Sequence, residues 1–154
     1  MTGAARLTLA TPTGPLTVTE RDGAIRGIVW TDEGATGNTP LLRRAAEQID
    51  AYFAGELRAF DLPLAPNGTE FHLTVWRALC RIPYGETRTY GELATEVGAI
   101  ARAVGTACGA NPIPVVIPCH RILAAGGRTG GFSGGRGVET KFKLLGLEGA
   151  VLAL

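Results

Sequence analysis

The chain has 154 residues, 45% of them hydrophobic, and its 15 basic and 14 acidic side chains leave a net charge of +1. That length holds one compact core or two small ones, and that composition excludes a disordered chain. No stretch approaches the roughly 18 uninterrupted apolar residues of a membrane span. The start Met1-Thr2-Gly3-Ala4-Ala5-Arg6 carries no apolar leader core, so a cytoplasmic protein with no membrane partner is expected.

The first part of the chain predicts short strands at 7–10, 16–19 and 25–30, separated by the turn formers Thr11-Pro12-Thr13-Gly14 and Arg21-Asp22-Gly23. Leu42, Ala45, Ala46, Ile49, Tyr52 and Phe53 recur at helical spacing and Gly55 closes the segment, so one helix covers one face of an antiparallel meander. A further strand is expected at 62–64, before Pro66-Asn67-Gly68, the expected domain boundary. Beyond it the pattern turns helical. Phe71, Val75 and Leu79 form one stripe, and Thr89 with Glu92 forms a capping box ahead of Leu93 and Val97, which Gly98 ends. Residues 100–110 supply another helix, with Ile100, Ala103, Val104 and Ala107 on its apolar face, completing a helix-turn-helix. The expected class is α+β: residues 1–67 a small antiparallel sheet with a covering helix, residues 68–154 a mostly helical, winged-helix-like domain.

Charge is unevenly divided. Residues 1–75 hold six arginines against nine acids, a net −3, whereas residues 76–154 hold nine basic residues against five acids, a net +4. No acid lies between Glu96 and Glu139, while Arg102, Arg121, Arg128 and Arg136 do, as an anionic partner such as a phosphate backbone favours; a solvated basic face explains the same charges. The second helix of the pair presents Ala101, Arg102, Gly105, Thr106 and Gly109, too few long polar side chains to read bases in the major groove. A face that small lets the helix backbone approach a minor groove, with little sequence preference. Arg102 either fills the gap left by an extruded nucleotide or, as an exposed arginine, makes a phosphate contact or a surface ion pair.

Cys80, Cys108 and Cys119 form an odd set without a CxxC pair, which argues for reduced thiols over disulfides or a cysteine zinc site. Cys80 and Cys108, on or beside apolar helix faces, read as buried structural thiols. Three prolines around a β-branched run, Asn111-Pro112-Ile113-Pro114-Val115-Val116-Ile117-Pro118, predict a stiff extended piece that delivers Cys119. A thiol needs a neighbouring base or cation to react at neutral pH, and His120 is the adjacent candidate. On an extended chain the two would point apart, so contact would need a turn or a bridging water.

Tyr90 in Thr89-Tyr90-Gly91-Glu92-Leu93-Ala94, then Ala101-Arg102-Ala103-Val104-Gly105, Gly109-Ala110-Asn111-Pro112-Ile113-Pro114, Pro118-Cys119-His120-Arg121, Phe132-Ser133-Gly134-Gly135 and Leu147-Glu148-Gly149 resemble the methylated-DNA–protein-cysteine methyltransferases. The resemblance implies a ribonuclease-H-like first domain and a single-use DNA-repair reaction: Cys119 irreversibly takes the alkyl group of O6-alkylguanine, or less well of O4-alkylthymine. It implies His120 as base, Glu148 as its orienter, Tyr90 as proton donor to the base, and Asn111 as brace of the turn before the cysteine. Ser133 and Phe132 would hold the flipped base, with Arg102, Arg121, Ala101, Ala103, Gly105 and Thr106 at the DNA. The implied partner is double-stranded DNA bound by a monomer, with no cofactor.

Two departures stand out. Phe132 occupies a position where some relatives carry tyrosine, and the first half, without cysteine and with His72 as its one histidine, lacks the zinc ligands of others; no metal is expected. A binding-only reader of alkylated bases is the alternative, and a transcription regulator or a cysteine hydrolase are the remaining readings. The glycine-rich run 126–137 lacks the Gly-Lys-Ser/Thr ending of a phosphate loop and reads as pocket wall.

Overall fold

The computed structural model describes residues 3–150, so Met1 and Thr2 of the expected leaderless start, and residues 151–154 of the expected second domain, lie outside it. The chain divides into two compact units, Met1–Asn67 and Gly68–Leu154.

In the first unit β1 (Ala5–Leu9), β2 (Leu16–Arg21) and β3 (Ala24–Val29) form an antiparallel sheet in that order. The turn at Arg21-Asp22-Gly23 works because Asp22 and Gly23 both take left-handed backbone, φ 53° and 77°, the arrangement that suits a tight hairpin. Helix α1 (Pro40–Phe53) starts on Thr39, whose hydroxyl accepts from the Leu42 amide, and has proline in its first turn. Its buried Leu42, Ala45, Ile49 and Tyr52 join Leu16, Val18, Ile25 and Ile28 in the core of this unit. The strand expected at 62–64 is reduced to a single parallel bridge of Leu64 on Ile25, because Pro63 has no amide to continue a ladder and only its carbonyl pairs, accepting from Ile25 N at 2.8 Å.

The second unit is built from α2 (Glu70–Cys80), β4 (Arg88–Thr89), α3 (Tyr90–Val97), α4 (Ala101–Gly109), a 3-10 turn at Cys119–Arg121, β5 (Ile122–Leu123) and α5 (Val138–Leu147). The capping box forms as the spacing requires: Glu92 N donates to Thr89 Oγ1 at 3.0 Å and Thr89 N to Glu92 Oε1 at 2.8 Å. Gly98 ends α3 in the left-handed region, φ 71°, which turns the chain directly into α4. The pair packs on α2, whose buried Trp76 donates from Nε1 to the Ala107 carbonyl at 2.9 Å. β4 and β5 pair in parallel, Arg88 with Ile122 and Thr89 with Leu123, so the start of α3 is fixed beside the chain that leaves Cys119.

Two expectations about this unit are corrected. Ile100 is 68% exposed rather than on the apolar stripe, because it is the N-cap of α4 with extended backbone and helical spacing does not yet apply to it. Cys80, at the C-terminal end of α2, is exposed, while Cys108 is buried as expected.

Candidate active site

The expected extended arm before Cys119 is a compact loop instead. Pro112 and Pro114 cannot donate, and Asn111 supplies the missing bonds at both ends: Ile113 N donates to its Oδ1 at 2.9 Å and its Nδ2 donates to the Ile117 carbonyl at 2.9 Å. Ile117 N closes the loop on Ile113 O at 2.9 Å, which forces Val115 to φ 74°. A β-branched residue there is strained, and the surrounding buried Ile113, Val116 and Ile117 hold it. Pro118, at φ −81° and ψ 65°, is the centre of an inverse γ-turn in which Cys119 N donates to Ile117 O at 2.8 Å. Cys119 therefore opens a 3-10 turn, where successive side chains diverge by about 120°. The turn leaves Cys119 half-exposed and sends His120 and Arg121 into the interior.

His120 is fully buried, and its Nε2 lies 2.7 Å from Glu148 Oε2. Glu148 caps α5, buried to 5% exposure, and takes two further charged bonds, from Arg121 Nε to Oε1 at 2.8 Å and from Arg121 Nη2 to Oε2 at 3.0 Å. Arg121 Nη1 donates to the Ile82 carbonyl at 2.7 Å, and its guanidinium stands over Tyr84, 5.9 Å from the ring centroid. The expectation that Arg121 faces DNA is thus corrected: at 7% exposure it is the counter-charge of Glu148, held by a bidentate pair that a guanidinium geometry favours.

The tautomer of His120 follows. A carboxylate already ionised against Arg121 only accepts, so Nε2 carries the proton and Nδ1 the lone pair. Nδ1 is buried without a hydrogen-bond partner in the protein. Burial is the largest cause holding the His120 pKa below its usual 6.5, opposed by Glu148, so the ring is neutral and a base at neutral pH. Burial likewise raises the Cys119 thiol, with the Asn111 amide and the Lys141 ammonium acting in the other direction. Tyr90, the first residue of α3, is half-buried; burial first, then the charges of Cys108 and Cys119, hold its phenol protonated to higher pH. Its ring is packed between two glycines: a Cβ on Gly130 would lie 3.1 Å from Tyr90 Cε2, and one on Gly105 3.7 Å from Cε1.

Lys141 is the residue that sequence reasoning missed. It is fully buried in α5, and its Nζ donates to the carbonyls of Thr129 and Gly131, the latter at 3.3 Å. Desolvation lowers its pKa to about 8, and the groups whose negative charge would raise it again are Cys119 and Cys108. The same ammonium ties the glycine-rich loop to α5. The signal was present, since Lys141 precedes Leu144, Leu145 and Glu148 by three, four and seven residues, on one helix face. Ser133 is exposed on that loop, and Phe132 is half-buried.

On α4, Ala101, Arg102 and Thr106 are exposed and Ala103 and Gly105 half-buried, so the small face with one long cation exists as expected. Arg128 and Arg136 are also exposed. Among the described residues no three His, Cys, Asp or Glu side chains meet in a metal-holding group, and no helix is long and apolar enough to cross a membrane.

Fold and site define a helix-turn-helix unit that displays a cysteine beside a carboxylate-polarised histidine. Residues 70–150 match the family model of the 6-O-methylguanine DNA methyltransferase DNA binding domain, and residues 6–66 that of its ribonuclease-like domain. The methylated-DNA–protein-cysteine methyltransferase of Mycolicibacterium paratuberculosis is 47% identical over 150 residues, covering 92% of this chain and 90% of the relative. The crystal structure of Mycobacterium tuberculosis O6-methylguanine methyltransferase superposes with a TM-score of 0.84 at 40% identity, covering 96% of this chain and 93% of that one. That of Mycobacterium tuberculosis OGT in complex with DNA does so at 0.83 and 41%, covering 93% and 92%. The chain belongs to the 6-O-methylguanine DNA methyltransferase family.

Proposed function

We propose that this protein repairs DNA by moving the alkyl group of an O6-alkylguanine, and less readily of an O4-alkylthymine, onto Cys119 in a single irreversible turnover. The observation that carries the reading is the polarisation of His120: Glu148 fixes the proton on Nε2, so the one basic atom left is the buried Nδ1. The Cys119 proton passes to Nδ1 through a water, and Glu148 stabilises the imidazolium that results. The thiolate attacks the alkyl carbon, an S–C bond forms, and the C–O bond electrons go to the guanine. Tyr90 donates a proton toward the guanine ring nitrogen, which makes the base a better leaving group. Its protonated phenol and its proximity to Cys119 fit that role. The thioether has no acidic proton and no good leaving group, so the protein is consumed.

The base must leave the duplex to reach Cys119. The exposed, small face of α4 and the absence of acids between Glu96 and Glu139 favour approach to the minor groove with little sequence preference, and the protein acts in this reading as a monomer. Arg102, exposed in the first turn, fills the place of the flipped nucleotide, while Ser133 and Phe132 flank the base. The test is stoichiometric: excess duplex carrying O6-methylguanine should yield one repaired guanine per protein and none with Cys119→Ala. Repeated turnover, or transfer by Cys119→Ala, would refute the reading, and duplex binding without any transfer would restore the binding-only alternative. Arg102→Ala should slow repair in duplex DNA far more than transfer from free O6-benzylguanine; equal losses would refute the wedge.

A further inference from the structure

We propose that Ile100 is a second wedge beside Arg102, an apolar one that seats on the deoxyribose wall of the groove and keeps it open around the extruded nucleotide. The inference rests on the DNA-repair reading above. Ile100 is the most exposed large hydrophobic residue among those described, at 68%, and it begins a continuously exposed run with Ala101 and Arg102 at the leading end of α4. It stands at the N-cap of α4 with no polar side-chain atom to cap the helix, a position where Ser, Thr, Asp or Asn is favoured. Every other exposed position of α4 is small or polar, namely Ala101, Arg102, Thr106 and Gly109. The small residues let the helix sink close to its partner, and Ile100 is the one apolar bulk, beside the cation Arg102, that the partner must accommodate.

Charge selects the occupant. The acid-free stretch from Val97 to Val138 bears the exposed cations Arg102, Arg128 and Arg136, which suit a polyanion. The minor groove of duplex DNA is bounded by phosphates and by sugar edges, and proteins that bend it insert apolar side chains there. An isoleucine two residues before the arginine meets that wall when α4 lies in the groove. Seated on the groove wall, outside the pocket of Cys119, it contributes on this proposal to duplex binding and nucleotide extrusion and not to the transfer step.

The experiment measures binding of a fluorescent O6-methylguanine duplex by anisotropy across a salt series, alongside the rate of reaction with free O6-benzylguanine. Ile100→Ala should raise the duplex Kd by about three- to tenfold, the loss of a part-buried branched side chain. Ile100→Asn should do the same and Ile100→Leu should stay near wild type. The slope of log K against log salt should be unchanged, because no phosphate contact is lost, whereas the free-base rate should be wild type in all three. Unaltered duplex binding by Ile100→Ala, a reduced salt slope, or full binding by Ile100→Asn would overturn the proposal, as would a loss of self-association in sedimentation in place of DNA binding. If wild-type protein itself bound no duplex while reacting with free base, the DNA reading would fail instead.

Discussion

Replacing Glu148 by glutamine tests the buried network most severely. The carboxylate holds His120 Nε2 at 2.7 Å and Arg121 Nε and Nη2 at 2.8 and 3.0 Å, with His120 and Glu148 side chains fully excluded from water. Removing one partner of a buried pair leaves the other charge uncompensated, at about 3–5 kcal/mol. Glutamine keeps the shape and one acceptor, so the lower end, about 3 kcal/mol, is expected. For a chain of this size that is a fall in Tm of roughly 6–12 °C. An amide oxygen in the place of Oε2 still accepts from His120 Nε2 and Arg121 Nη2, but the amide NH2 then faces Arg121 Nε, and the negative charge that stabilises the imidazolium is gone, so transfer slows as well. Thermal unfolding by circular dichroism gives the first quantity and single-turnover reaction with O6-benzylguanine the second. The double variant Glu148→Gln with Arg121→Met should recover part of the Tm without recovering the rate, since it removes the stranded charge and not the cause of slow transfer. A Tm within about 2 °C of wild type for Glu148→Gln, or a rate restored by Arg121→Met, would refute the reasoning.

The remaining predictions concern pH, the loop and the pocket wall. Burial lowers the His120 pKa below 6.5, so transfer from free base should hold as pH falls through 6.5 and decline only below it; a decline centred at or above 6.5 contradicts this. The unfolded chain takes up that proton first, so stability should fall as pH drops below about 6.5, readable by urea unfolding. Asn111→Ala strands the Ile113 amide and the Ile117 carbonyl and should cost about 2–4 kcal/mol, with slower thiol alkylation because the Asn111 amide helps lower the Cys119 pKa. Gly130→Ala places a Cβ 3.1 Å from the Tyr90 ring at φ 66°, so it should destabilise by about 1–2 kcal/mol and slow transfer by displacing Tyr90; wild-type kinetics would show that the ring moves freely.

Local chemistry made much of this legible. The capping box of Thr89 and Glu92, the glycine stop at Gly98 and the stripe of α1 depend on neighbours in sequence, and the structure follows them. The Cys119, His120 and Glu148 trio was accessible only through resemblance, because Glu148 is 28 residues from His120 and nothing local marks the pairing. Arg121 was misplaced because an arginine in an acid-free run reads as surface, and only the fold shows that Glu148 awaits it inside. The loop before Cys119 was misjudged for a different reason: prolines and β-branched residues favour extended backbone, but the two Asn111 bonds and the buried side chains offset the strain at Val115. Lys141 was overlooked because lysine is rarely buried without a carboxylate, and two carbonyls hold it instead.

The central claim, that Cys119 is the alkyl acceptor, is tested most directly by mass spectrometry of the protein after reaction with a duplex containing O6-methylguanine. The expected result is a gain of one methylene mass, placed by fragmentation on Cys119 and on neither Cys80 nor Cys108. An unchanged mass alongside unrepaired DNA, or a methyl group found on another residue, would contradict it.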